Sequence, residues 1–260
     1  MSWFINALHD GLGGDKGRLP VEKGKKHQTI IASTFRGRMR VWSRKIPSAD
    51  LKEEERKKLA MEDKEYAEVV KDMPFFFLTC ELPAPPLYPD AMKESIIPQV
   101  PLATLMAKFG GVVEKEYKTH KENFVKRYQL RKLPPYLIVC YKRFTKSYFV
   151  HEKNNTIVNF PIRDVDFTDL LAPDCRKGGQ EYIYDLAANI IHDGEPGPGK
   201  GTYRVFILHR GSGKWFEMQD LHVREILPQT IPLSESYIQI WSRRPKLNQK
   251  ESKLESMDQS

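Results

Sequence analysis

Apolar positions open the chain at helical spacing. In "MSWFINALHDGLGG", Phe4, Leu8 and Leu12 share one face, and Gly13–Gly14 ends the segment. The apolar face starts almost at Met1 with no capping segment before it, so the expectation is a natural fold that begins upstream, with this chain as its C-terminal part. Residues 13–28 read as a basic loop. "TIIASTFRGRMRVWSRK" reads as β-rich, with Phe35, Met39 and Val41 pointing inward. Residues 51–71 carry dense mixed charge, with Glu53–Lys57 and Glu54–Lys58 four apart, the pattern of an exposed helix or helix pair. "PFFFLTCEL" reads as one short apolar strand, Pro83 to Pro101 as an irregular connection, and "PLATLMAKFGG" as a short helix stopped by Gly110–Gly111.

From residue 124 the pattern turns to strands. "FVKRYQLRKL" alternates, and "YLIVCYKRF" is a near-continuous apolar run of the kind found in central strands. "TIVNFPI", "YIYDLAANIIH" and "SYIQIW" follow, with a strand pair across the Gly-Ser-Gly turn in "GKGTYRVFILHRGSGKWFEMQD". After Arg244 the chain is polar, and residues 245–260 read as a disordered tail beyond a single domain over residues 1–244.

Composition adds limits. The 260 residues are 40% hydrophobic, enough for a sizeable core. Charged residues reach 29% and the mean hydropathy is -0.55, the profile of a soluble chain. The net charge of +8 suits nucleic acid or an acidic partner but selects neither over a solvated surface. Cys80, Cys140 and Cys175 stand far apart with no CxxC pair, which argues against a disulfide framework or a cysteine-built zinc site. With no signal peptide pattern and no apolar run near the ~18 residues of a span, a cytoplasmic or nuclear protein is expected.

Read in order, several segments resemble the ubiquitin-specific proteases. "LPPYLIVCYKRF" is similar to that family's "LPPxLxxxLKRF", "KNNTIVNFPI" to "K…VxFP", and "YDLAANIIHDG" to "YxLxAVxxHxG". "GTYRVFILHRGSGKWFEMQD" resembles "GHYxxYxxxxxxxWxxFDD", and "SYIQIWSRR" the closing "AYxLxYxR". "SWFINALHDGL" resembles the helix after the family's early cysteine segment, so the likeness runs from residue 2 to 244. It implies an α+β, papain-like fold, of which this chain would supply the palm and fingers with a mainly antiparallel sheet and little of the thumb.

The family cleaves isopeptide bonds with a cysteine, a histidine and an orienting acid or amide. The resemblance puts Thr202 at the histidine position, Gln219 at the orienting position and Asp220 at the second acid. A threonine hydroxyl accepts no proton near neutral pH, so these are degenerate positions and no catalytic residue is assigned. The nucleophile box would lie upstream of Met1. Cys140, inside an apolar strand, reads as a structural thiol, and His192 and His209 read as structural or solvent-facing rather than as substitute bases. Trp215, Tyr203 and the glycine turn are expected to hold the sheet together. The family's finger zinc needs two CxxC pairs, yet "FRGRMRVWSRKIP" and "EKEYKTHKENF" hold no cysteine and His120 stands alone, so no metal and no cofactor is expected.

Lost triad histidine, lost zinc cysteines, and the stretches "IIPQVPLATLMAKFGG" and "EKEYKTHKENFVKRYQLRKLPPYLI" resemble the family's inactive, spliceosomal branch. That likeness implies a nuclear, non-catalytic scaffold in pre-mRNA splicing, with tri-snRNP proteins as partners. Ubiquitin binding and direct RNA contact stay open; the chain carries no signature of the common RNA-reading modules. The alternatives are a deubiquitinase with its nucleophile upstream, and a ubiquitin-binding pseudoenzyme.

Overall fold

A computed structural model describes residues 2–14, 29–47, 53–54, 64–84, 97–118, 123–146, 151–176, 182–197 and 199–245. The basic loop after Gly14, most of the charged stretch before Lys64, most of the proline-rich connection, His120 and the tail after Pro245 lie outside the described residues. The helices are α1 (Ser2–Gly11), α2 (Ile30–Phe35) and α3 (Leu102–Met106). The strands run in chain order β1 Gly37–Ile46, β2 Val69–Phe75, β3 Leu78–Glu81, β4 Gln99–Pro101, β5 Gly110–Lys118, β6 Asn123–Lys132, β7 Tyr136–Lys142 and β8 Phe144–Lys146. They continue as β9 His151–Lys153, β10 Ile157–Asn159, β11 Val165–Asp166, β12 Ile183–Gly194, β13 Gly201–His209, β14 Lys214–Gln219, β15 His222–Ile226 and β16 Ser236–Arg243.

Two sheets organise these elements. The larger has the order β15-β14-β13-β12-β16-β7-β3, with β11 paired to β12. Its pairings are antiparallel except that β3 runs parallel to β7. The smaller is the antiparallel order β2-β1-β6-β5. Strand β7 explains the centre of the large sheet. Leu137, Ile138 and Val139 are buried on both faces, as a continuous apolar run requires. The core gathers around Trp241, whose ring meets Phe160 and Phe167 edge-on, with Tyr184, Leu186 and Leu137 fully buried beside it.

Most expected strands are present, and five readings change. Ile30–Phe35 is helical rather than extended, because the Thr29 side chain accepts from Ala32 N and caps that turn. The strand signal starts at Gly37; Val41 is buried, Met39 packs against the core, and Phe35 meets the Tyr136 ring from the helix. "PFFFLTCEL" is two strands: the chain bends at Phe76–Phe77, leaves the small sheet at Phe75 and enters the large one at Leu78. The run from Leu137 leaves the sheet after Lys142, since Arg143 turns inward and Phe144 joins a hairpin of β8 with β9. "TIVNFPI" yields only β10, paired in parallel with β4 outside the large sheet. Val69–Lys71, expected as part of a charged helix, belong to β2.

Helix α1 ends as its glycines predict, with Gly13 at φ 78. Its expected face is exposed at Phe4 and Leu8, and at Trp3 and Leu12 as well. Among the described residues no helix is long and apolar enough to cross a membrane.

Candidate functional site

The hairpin of β12 and β13 carries the first of the positions singled out in the sequence. Asp193 is opposite Thr202, His192 opposite Tyr203, and Gly194 opposite Gly201. Strand alternation then sorts the side chains. Asp193, Thr202, Arg204 and Phe206 share one face, and His192 and Tyr203 share the other. On the neighbouring strand, Val205 pairs with Met218 and Phe206 with Glu217, so Glu217 and Gln219 lie on the Thr202 face. Thr202 and Gln219 therefore mark one end of one face.

What fills that face is a charge network. Arg204 donates from Nε to Asp193 and from Nη1 to Glu217 at 2.6 Å. Arg224, on β15, donates from Nε to the other Glu217 oxygen at 2.7 Å. The Glu217 side chain is only 8% exposed. Burial alone would push its pKa up, but the hydrogen bonds from Arg204 and Arg224 outweigh it and hold the carboxyl below its ordinary value. The hydrogen bond to Asp193 keeps Arg204 firmly charged. Beside this network Phe206, Ile226, Leu227 and Thr230 line a shallow depression of about 380 Å³.

Asp220, the position matched to the family's second acid, lies in a turn. It sits at φ 51 in the two-residue turn that joins Gln219 to His222. Aspartate tolerates this left-handed backbone better than most residues, and its side chain is exposed.

The histidines fall into place by the same alternation. His192 is buried, on the face opposite Thr202. Its ring meets Phe144 and Tyr203 edge-on, and its carbonyl accepts from Lys153 Nζ at 2.7 Å. Burial, helped by the Lys153 ammonium, pushes its pKa below the ordinary histidine value, so the imidazole is neutral. Gly201 is required where it stands: a Cβ there would collide with His192 Nε2 and lie 2.7 Å from the Asp193 carbonyl oxygen. His209 ends β13 seven positions from Thr202, ~23 Å away at ~3.3 Å per residue, and its Nδ1 bonds Ser212. His222 is the histidine that sequence reasoning missed. It lies directly across from Gln219, exposed, at the end of the Thr202 face.

The expectation for Tyr203 needs correcting. It is 56% exposed and contributes to a surface cluster with His192 and Tyr237, while Trp215, 3% exposed, is the residue that anchors the hairpin in the core. The Arg204–Glu217–Arg224 network was also missed. Counting alternate positions from Trp215 would have put Glu217 on the inward face and flagged it as a buried acid in need of cations.

None of the three cysteines has the electropositive setting of a nucleophile. Cys80 is fully buried with Sγ 3.9 Å from Met106 Sδ, and burial pushes its thiol up to about 11. Burial pushes Cys140 up to about 12 and raises Cys175 too. Strands β1, β5 and β6 contain no cysteine, and the described residues hold no group of three or more His, Cys, Asp or Glu side chains placed to share a metal.

The family description "ubiquitin carboxyl-terminal hydrolase" matches residues 2–241, and the chain belongs to that family. Human ubiquitin carboxyl-terminal hydrolase 39 is 53% identical over 244 residues, which cover 94% of this chain and 41% of that protein. The probable mRNA-splicing protein ubp10 of Schizosaccharomyces pombe is 33% identical over 247 residues, 94% of this chain and 47% of that one. The chain thus spans less than half the length of these relatives. Among solved structures, a SAGA DUB module of Ubp8, Sgf11, Sus1 and Sgf73 matches with a TM-score of 0.63 at 18% identity, over 94% of this chain and 49% of its counterpart. The module bound to ubiquitin aldehyde gives 0.61 over 94% and 48%. At such identity these likenesses speak for the fold, an α+β ubiquitin-specific-protease fold with a mainly antiparallel sheet.

Proposed function

We propose that this chain is the non-catalytic, ubiquitin-specific-protease-like part of a nuclear splicing protein, acting by protein contacts within the tri-snRNP. The observation that carries the reading is Thr202 at the histidine position, on a face given over to Arg204, Glu217 and Arg224. A general base must reach its nucleophile within about 2.6–3.2 Å. His192 projects from the wrong face and His209 is a strand length away. The likeness to ubp10, named for mRNA splicing, supports the splicing assignment. The likeness to the module bound to ubiquitin aldehyde leaves room for ubiquitin as a ligand without chemistry.

Affinity purification of the intact tagged protein from nuclear extract tests the assignment. Tri-snRNP proteins should be recovered with it, and its depletion should slow splicing of a reporter transcript. Recovery of cytoplasmic ubiquitin conjugates alone, with splicing unaffected by depletion, would overturn it.

A further inference from the structure

The four-stranded sheet divides its charges between its faces in a way the functional reading above does not use. In register, Lys71 on β2 lies opposite Val41, Val41 opposite Tyr128, Ser43 opposite Lys126, and Lys126 opposite Lys115. Lys45 lies opposite Phe124, and Phe124 opposite Tyr117. Alternation therefore puts one lysine from each strand, Lys45, Lys71, Lys115 and Lys126, on a single face with Tyr117, Phe124 and Tyr128. No acid of the four strands points that way. Asp72, Glu114 and Glu116 all occupy the other face, where Asp72 pairs with Arg40 and Glu114 with Arg44.

Among the described residues, two carboxylates reach the lysine face from outside the sheet: Glu65 pairs with Lys45, and Glu81 with Lys115. Lys115 and Lys126 stand directly opposed on neighbouring strands, a like-charge pair that Glu81 offsets only on the Lys115 side. Lys126 Nζ rests 5.4 Å from the centre of the Tyr117 ring and 5.7 Å from that of Phe124. Tyr128 donates its hydroxyl hydrogen to the Tyr117 hydroxyl at 3.2 Å, which fixes both rings. With strands ~4.8 Å apart, the four lysines span ~14 Å across the sheet.

We propose that this face binds single-stranded RNA. Phosphates would meet the lysines, and bases would stack on the Tyr117 and Phe124 rings, held in place by Tyr128, which packs against the core, the chemistry by which other open sheets hold single strands. An acidic peptide would satisfy the lysines but has no use for the Tyr117 and Phe124 rings beside Lys126. The proposal does not depend on whether the chain hydrolyses anything.

Fluorescence anisotropy of a short labelled oligouridylate against the full chain, between roughly 50 and 200 mM salt, tests it. Two to four lysine–phosphate contacts predict a slope of log K against log salt of about -1.4 to -2.8. Lys71→Glu with Lys126→Glu should weaken binding at least about tenfold and flatten the slope by about 1.4. Lys71→Gln with Lys126→Gln serves if the first pair melts early. Phe124→Leu should cost roughly tenfold with the slope unchanged. Arg38→Glu, on the opposite face, should leave the affinity within about twofold. Failure to bind at low salt, or lysine variants that bind like the parent, would overturn the proposal. So would polyglutamate binding as tightly as RNA with no response to Phe124→Leu, which would make the face a site for acidic segments.

Discussion

Arg143 offers the most demanding test of how this fold is held. It follows β7 and turns its guanidinium into the protein, where the residue is 1% exposed. Nε donates to the Ser236 carbonyl at 2.6 Å, and Nη1 donates to the Asn154 and Thr156 carbonyls, both at 2.8 Å. One side chain thus ties the end of β7 to the start of β16 and to the loop before β10. Burial lowers its pKa to about 10, so it remains charged at neutral pH. Arg143→Leu keeps an apolar stem but deletes three charge-assisted bonds, each worth about 1.5–3 kcal/mol. Part of that is returned, because the buried charge no longer has to be desolvated. The net loss should be about 3–5 kcal/mol, the usual result of removing one partner from a buried charged arrangement. For a domain of this size that lowers Tm by about 6–20 °C. Thermal melting followed by tryptophan fluorescence reads it, since Trp215 and Trp241 are both buried. A drop below about 2 °C would show that the three bonds merely balance the cost of burying the charge, and would refute the reasoning.

Three further outcomes follow from the site. Glu217→Ala should destabilise by about 1–3 kcal/mol, since it strips part-buried Arg204 of one of its two carboxylate partners; because the Glu217 carboxyl is depressed in the fold, its contribution is present above the unfolded value near 4.5 and is lost as pH falls below it, so the parent, not the variant, should show that acid loss in urea titrations. Gly201→Ala should cost about 1–3 kcal/mol through its clash with His192 and the Asp193 carbonyl, and a variant melting with the parent would contradict the close approach. Cys80, raised in the fold to about 11 from 9.0, should cost stability as pH climbs from 9 toward 11, and Cys80→Ala should flatten that part of the stability–pH curve.

Much of this architecture was legible because its strands write themselves in alternation or in unbroken apolar runs. The segments Tyr136–Lys142, Ile183–Gly194 and Ser236–Arg243 all form where their side chains predict. The misreadings came where two signals overlapped. Ile30–Phe35 has β-branched composition, yet one Thr29 cap outweighs it over a single turn. Phe76–Phe77 continue an apolar run through a bend, with the nearest breaker, Pro74, back inside β2. At the site, the family resemblance implied a threonine, Thr202, where a titrating residue is expected, but not what surrounds it. Arg204, Glu217 and Arg224 come from three strands, and only their register reveals one network. Tyr203 is an aromatic in a strand and so looked like a sheet anchor, whereas at the end of the sheet it is more than half exposed.

The central claim, that the site around Thr202 performs no proton transfer, is tested most directly by incubating the intact protein with a fluorogenic ubiquitin amide. General-base catalysis is worth roughly 10²–10⁴ in rate, and a triad stripped of one member commonly loses more because its members act together. The account predicts no release of fluorophore above the uncatalysed background, with His222→Ala making no difference. Clear cleavage by the unmodified protein, abolished by replacing a single cysteine, would contradict it.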